Sequence, residues 1–295
     1  MCGFSNNKML TFYGVLPRIY SCFGTNVNIG LVVDVMTSPS QRGKGLFVDS
    51  GEKSLAQLQL SDVAGVIGFP IREEVMPGHL KVGWGVQFDM PIYILPVGRA
   101  KAQSLRKLTF SIFARIIEFS TRILRITKDQ VCEASVAESL SSDFLTNFYT
   151  SQISEMQVSL EKSTEFLKWR LNRPSIDYTV LFCPSETPHA VAIVRQINLN
   201  GFATLAVLDF ESDGEQWSKS LVKNLVTYAI DHQLEVIAFS TNRTNAKRLG
   251  ILRLGFFRSH KKFKVITRII NLRSVQFTKA SEKSFRMTWI DSDTV

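Results

Sequence analysis

Asp34-Val35-Met36-Thr37-Ser38-Pro39-Ser40-Gln41-Arg42-Gly43-Lys44-Gly45-Leu46-Phe47 is the stretch on which the fold turns. The apolar and β-branched run from Ile29 to Met36 predicts a strand, and Ser38 to Gly45 is dense in turn formers. A helix is expected from Leu46 to about Leu60, with Leu55 and Leu58 on its buried side. A strand feeding a glycine-rich turn that opens a helix can aim backbone N–H groups and a helix N-terminus at a pyrophosphate. Arg42 and Lys44 add positive charge there. The turn is not a P-loop, because Gly43-Lys44 is followed by Gly45 rather than Ser or Thr, nor is it a Gly-x-Gly-x-x-Gly dinucleotide turn. Taken alone, Arg-Gly-Lys-Gly is equally readable as a solvated turn.

Working outward, strands are expected at Met9–Leu16, Ile29–Met36, Val63–Phe69 and Pro91–Pro96. The same order returns later, with strands at Tyr178–Phe182, Ala190–Ile197 and Phe202–Asp209, a helix at Glu215–Gln233 and a short apolar strand at Val236–Ser240. A helix at Asn245–Leu254 and a last strand at Lys264–Ile270 follow. Registering Leu31-Val32-Val33-Asp34 on Ala206-Val207-Leu208-Asp209 brings Gly83-Trp84 and Gly255-Phe256 into nearly equivalent places. The chain therefore reads as α/β (α+β), one mixed-sheet unit used twice. The second copy has room for an extra strand at Gln130–Ala134 and helices at Ser142–Ser151 and Leu160–Leu171; the first copy lacks these leading elements or the chain starts late. The expected divisions are 1–98, a basic connecting helix at 99–128, and 129–295.

The chain has 295 residues, enough for about two domains, with ordinary globular proportions of 45% hydrophobic and 21% charged residues. The formal charge of +9 permits an anionic partner without naming one. It is concentrated in two blocks. Residues 99–128 carry net +7, and residues 243–273 carry ten basic residues and no acid, leaving a net of −8 elsewhere. In the first block Leu105, Leu108, Ile112, Ile116, Phe119, Ile123 and Ile126 form one helical stripe. We read it as a helix packed between the copies, with contact to an anionic membrane surface as the alternative. The second block reads as a solvated strand face. Neither block carries a known nucleic-acid-binding motif, so no nucleic-acid partner is expected. Cys2, Cys22, Cys132 and Cys183 are scattered, which argues against a disulfide scaffold or zinc site; no metal is expected. Without a signal-peptide pattern or an ~18-residue apolar run, a cytoplasmic protein is expected.

Arg42-Gly43-Lys44-Gly45 after a strand and Pro39, opening a helix, resembles the acetyl-CoA motif of the GNAT N-acetyltransferase superfamily. Phe47 stands where that motif has Gly or Ala. The run Val33 to Phe47, Gly68-Phe69-Pro70, Phe166 to Arg170 and Trp289 to Asp293 is similar to a bacterial double-domain branch associated with polysaccharide or amino-sugar modification. The resemblance implies two GNAT-like domains packed together. It also implies acetyl-CoA or another acyl-CoA as co-substrate, a small-molecule amine acceptor such as an amino sugar, and direct N-acyl transfer. Cofactor contacts would come from Met36 and Thr37 on the strand, for the pantetheine, and from Arg42, Gly43, Lys44, Gly45, Leu46 and Phe47, for the pyrophosphate. The matching turn of the second copy, Glu211-Ser212-Asp213-Gly214-Glu215, is acidic and is not expected to take CoA. Where the superfamily often has a tyrosine acid, four residues before the Gly-aromatic pair, this chain has His79. His79 and Glu74 are the expected acid and base, with Glu73 beside them and an idle loop histidine as the alternative. Ser50 and Cys22 show no partnered base for covalent catalysis. The competing functional class is a catalytically degenerate scaffold of the same fold, binding a partner or a membrane surface.

Overall fold

The computed structural model describes residues 1–5, 8–97, 132–135, 140, 144–154, 156–183 and 187–292. The connecting segment 99–128, with its membrane-contact reading, lies outside them. The described strands are β1 Cys2–Ser5, β2 Lys8–Cys22, β3 Thr25–Thr37, β4 Gly65–Gly68, β5 Gly85–Pro96, β6 Cys132–Ser135, β7 Val158–Leu160, β8 Thr179–Cys183, β9 Ala190–Leu199, β10 Phe202–Ser212, β11 Val236–Ser240, β12 Phe257–Ile269 and β13 Phe285–Arg286. They form one sheet in the order β13-β7-β2-β3-β4-β12-β5-β11-β10-β9-β8-β6, with β1 on β2. Two packed domains were the expectation; the structure joins them through a single sheet.

The junction is an exchange. In the first half the gap between β4 and β5 is filled by β12, antiparallel to both, with Thr267 opposite Ile67 and Val265 opposite Phe88. In the second half the gap between β11 and β12 is filled by β5, with Ala238 opposite Ile94. Each half thus completes its sheet with the other's strand. β12 begins at Phe257 rather than Lys264 and runs through the middle of the sheet. Its basic residues still reach the surface on one side, where Lys262 pairs with Asp89 at 2.6 Å. At the other margin β7 and then β13, both from the second half, extend the first half beyond β2.

Packing follows from apolar spacing. Helix α1, Leu46–Leu58, lays Leu55 against Tyr13, Val32 and Val66, and Gly51 lets it approach closely: a Cβ there would lie 3.3 Å from Val82 and 3.4 Å from Tyr13. The helix Glu215–Asp231 repeats the arrangement with Leu221, Leu225 and Ala229 over Phe210 and Phe239. The largest core spans both halves, bringing Ile29 and Leu31 together with Val191, Ala206 and Trp289. No helix among the described residues is long and apolar enough to cross a membrane.

Candidate functional site

β3 and β4 run parallel from Ile29 opposite Gly65 to Val32 opposite Gly68, and there they part. The cause is local. Between Gly14–Val33 and Phe12–Met36, β2 spends one residue while β3 spends two, which is a β-bulge. Asp34 sits in it with φ 51°, a left-handed conformation that Asp tolerates better than most residues. The bulge bends β3 away as β4 ends at Gly68, leaving a cleft of about 450 Å³ walled by Val33, Asp34, Val35, Phe69, His79 and Ile266. Ile266 belongs to the exchanged strand β12, so the cleft is completed from the second half.

Phe47, in the first turn of α1, lines this cleft, and the glycine turn leads into it. Gly43 and Gly45 have φ of 77° and 81°, and a Cβ on either would meet nothing within 4 Å. Arg42 N–H reaches Pro39 O at 3.4 Å, and the next amide with a backbone partner is Asp49, on Gly45 O at 3.0 Å. The amides between them, Gly43 to Val48, have no acceptor among the described residues. Gly45 caps α1 without a side-chain hydrogen bond. Free N–H groups at the N-terminus of a 13-residue helix, in open space, suit a phosphate. Arg42 and Lys44 are exposed beside them, Lys44 Nζ resting on Gln41 Oε1 at 3.0 Å. Leu46 and Phe47 begin α1.

The remaining expected residues fall in different places. Met36 and Thr37 lie beyond the bulge, paired with Phe12 and Thr11 of β2; the stretch of β3 that lines the cleft is Leu31 to Val35. Glu74 and Glu73 are exposed on the turn Glu73–Val75, whose Val75 lines the cleft while the two glutamates do not. His79 lies in helix α2, Met76–Lys81, and is 6% exposed. Its ring meets Phe47 edge-on at 5.0 Å and Trp84 at 5.4 Å, and its Nδ1 has no partner. Burial holds its pKa down at about 4, so the imidazole is neutral near pH 7 and carries no acidic proton of the imidazolium kind. Phe47 is accommodated because Gly78 lies under its ring, where a Cβ would come within 2.6 Å. Asp34 is the residue the sequence reading passed over, the one carboxylate among the described residues lining the cleft. Its alignment with Asp209 in the internal repeat was the available signal.

The second copy shows what the same architecture looks like when closed. β10 and β11 pair in parallel up to Val207 opposite Phe239, and β10 bulges between Val207 and Asp209. The C-terminal segment fills the opening that follows. Thr241 Oγ1 donates to Met287 O at 2.7 Å, Met287 N–H donates to Asn242 Oδ1 at 3.2 Å, and Thr288 Oγ1 donates to Asp209 Oδ1 at 2.7 Å. In the acidic turn, Gly214 N–H is taken up by Ser212 Oγ at 3.1 Å.

Comparison with protein-family models gives no match, and comparison with curated protein sequences gives none either. Solved structures do match. A GCN5-related N-acetyltransferase from Anabaena variabilis superposes with a TM-score of 0.61 at 14% identity, covering 91% of this chain and 62% of that one. The chain has the fold of the GCN5-related N-acetyltransferases. A second such protein, from Kribbella flavida, gives a TM-score of 0.59 at 10% identity over 90% of this chain and 58% of that one. Saccharomyces cerevisiae N-myristoyltransferase with bound myristoyl-CoA gives 0.59 at 10% identity, covering 89% and 64%. The chain spans about three fifths of the length of these neighbours.

Proposed function

We propose that this chain is an acyl-CoA-dependent N-acyltransferase that uses the β3–β4 cleft of its first half and acts on an amine such as an amino sugar, as in the polysaccharide-associated branch it resembles. The observation that carries this is the row of amides from Gly43 to Val48, without an acceptor among the described residues, that leads into Phe47 on the wall of the cleft beside the Asp34 bulge. Acetyl-CoA or another acyl-CoA would supply the activated acyl group. The amides at Gly43 to Phe47 would hold its pyrophosphate, with Arg42 and Lys44 screening the charge. The backbone of Val33 to Val35, freed from β4, offers the edge along which an extended pantetheine can lie.

Amine acylation needs a proton removed from the nucleophile and negative charge balanced as the thiolate departs. Asp34 lines the cleft and takes the base role in place of Glu74, which borders the cleft without lining it. Neutral His79 serves as a wall and a hydrogen-bonding ring rather than as a charged acid. The second copy acts as scaffold and supplies Ile266, its own cleft being occupied by residues 285–288.

The test is calorimetric titration with acetyl-CoA. The wild type should bind with one site per chain. Gly45→Asp places a carboxylate among phosphate-facing amides and should weaken binding by at least about 2 kcal/mol, roughly thirtyfold in Kd. Absence of binding by the folded wild type would favour the scaffold reading.

A further inference from the structure

At the far end of β3 from the acyl-CoA cleft lies a second pocket of about 240 Å³, lined by both halves. Asn26 stands on its wall, eight residue steps before Asp34 on β3, or about 26 Å at ~3.3 Å per residue. It occupies what remains of the second copy's cleft once residues 285–288 have filled the opening. The wall is charged in both senses. Lys162, its side chain 13% exposed, reaches Asp209 Oδ2 at 2.8 Å with one of three donors. Arg286 donates to Gln152 O at 2.7 Å through Nη1, stands 4.0 Å from Glu211, and has a buried Nε with no partner among the described residues. Glu211, with a side chain 5% exposed, uses Oε1 for Arg248 and for Ser212 N–H. Glu161 accepts from Asn26 Nδ2 at 3.0 Å through Oε2 alone.

We propose that this pocket binds a small zwitterion of the α-amino-acid type. Lys162 and Arg286 offer unspent donors to a carboxylate, while Glu211 and Glu161 offer unspent oxygens to an ammonium. A ligand of one sign would bring its charge against the wall groups of that same sign, Glu211 and Glu161 for an anion or Lys162 and Arg286 for a cation, with nothing to offset the desolvation. A sugar finds no bare aromatic face here, since Lys162 already lies 4.5 Å above the Tyr149 ring. The volume is below the ~300–1,000 Å³ of drug-sized sites, which fits a compact molecule. The proposal stands apart from the acyl-CoA reading and is tested without acyl-CoA.

The experiment is thermal unfolding of the full chain with L-alanine, L-glutamate or L-lysine, against propionate, propylamine and glucose. At least one amino acid should raise Tm saturably, by about 5 °C at ~100-fold excess over its Kd. Thr150, exposed on the pocket wall, allows a rim-filling change that spares the buried charges. Thr150→Trp should fold with unchanged Tm in buffer and abolish the ligand shift. The proposal is overturned if no amino acid shifts Tm, if propionate or propylamine alone shifts it equally, or if Thr150→Trp leaves the shift intact.

Discussion

His79 ties the cleft to the pH dependence of folding, and the size of the effect follows from its surroundings. Burial between Phe47 and Trp84 holds its pKa at about 4 against an ordinary 6.5. A histidine depressed in the folded state binds its proton more readily when unfolded. Its contribution to stability is therefore complete above pH 6.5 and is lost progressively as pH falls toward 4. At pH 5 the unfolded state gains about 2 kcal/mol from this proton relative to pH 7.5, and below pH 4 the loss reaches about 3.4 kcal/mol. The assay is urea unfolding of the wild type and His79→Asn at pH 7.5 and pH 5. His79→Asn should cost stability at pH 7.5 through lost ring packing. Between pH 7.5 and 5 it should lose about 2 kcal/mol less than the wild type does. Parallel pH profiles for the two proteins would refute the buried, neutral imidazole.

Asp291 should act with the opposite sign. Burial raises its pKa to about 6, with Tyr20 Oη donating to Oδ1 at 3.0 Å, so its stabilisation is present below the ordinary carboxylate range and lost as pH rises through 6. Asp291→Asn should flatten that part of the stability profile, which urea unfolding between pH 4 and pH 7 measures. Arg248→Met strands Glu211 in the interior and should cost about 3 kcal/mol, whereas adding Glu211→Leu should recover most of it. Equal losses in the single and double variants, by chemical unfolding, would exclude that pairing.

Much of the fold was legible in the residues because repeats and alternation are local signals. The register of Leu31–Asp34 on Ala206–Asp209 agrees with the pairing: Val32 and Val207 are each the last residue of β3 and β10 to pair with the next parallel strand, and each strand bulges immediately beyond. The exchange of β5 and β12 was not legible. Alternation tells which face of a strand is buried, while its neighbour in the sheet depends on contacts nearly two hundred residues away, such as Thr267 Oγ1 to Gln87 Oε1. The closing of the second cleft by Thr288 and Met287 was hidden for the same reason. Asp34 was missed because a bulge looks like ordinary strand in sequence. Position in the sequence singles out His79, but its neutral state depends on its burial beside Phe47 and Trp84, which spacing alone does not tell.

Titration of the wild type with acetyl-CoA, beside Gly45→Asp, addresses the central claim most directly. The amides at Gly43 to Val48 have no acceptor among the described residues, and the space beside Gly43 and Gly45 is open. Saturable binding at one site per chain, lost in a Gly45→Asp protein whose unfolding curve still shows a folded chain, is the predicted result. No binding by the wild type, or equal binding by the two proteins, would contradict the assignment of the first-half turn as the acyl-CoA site.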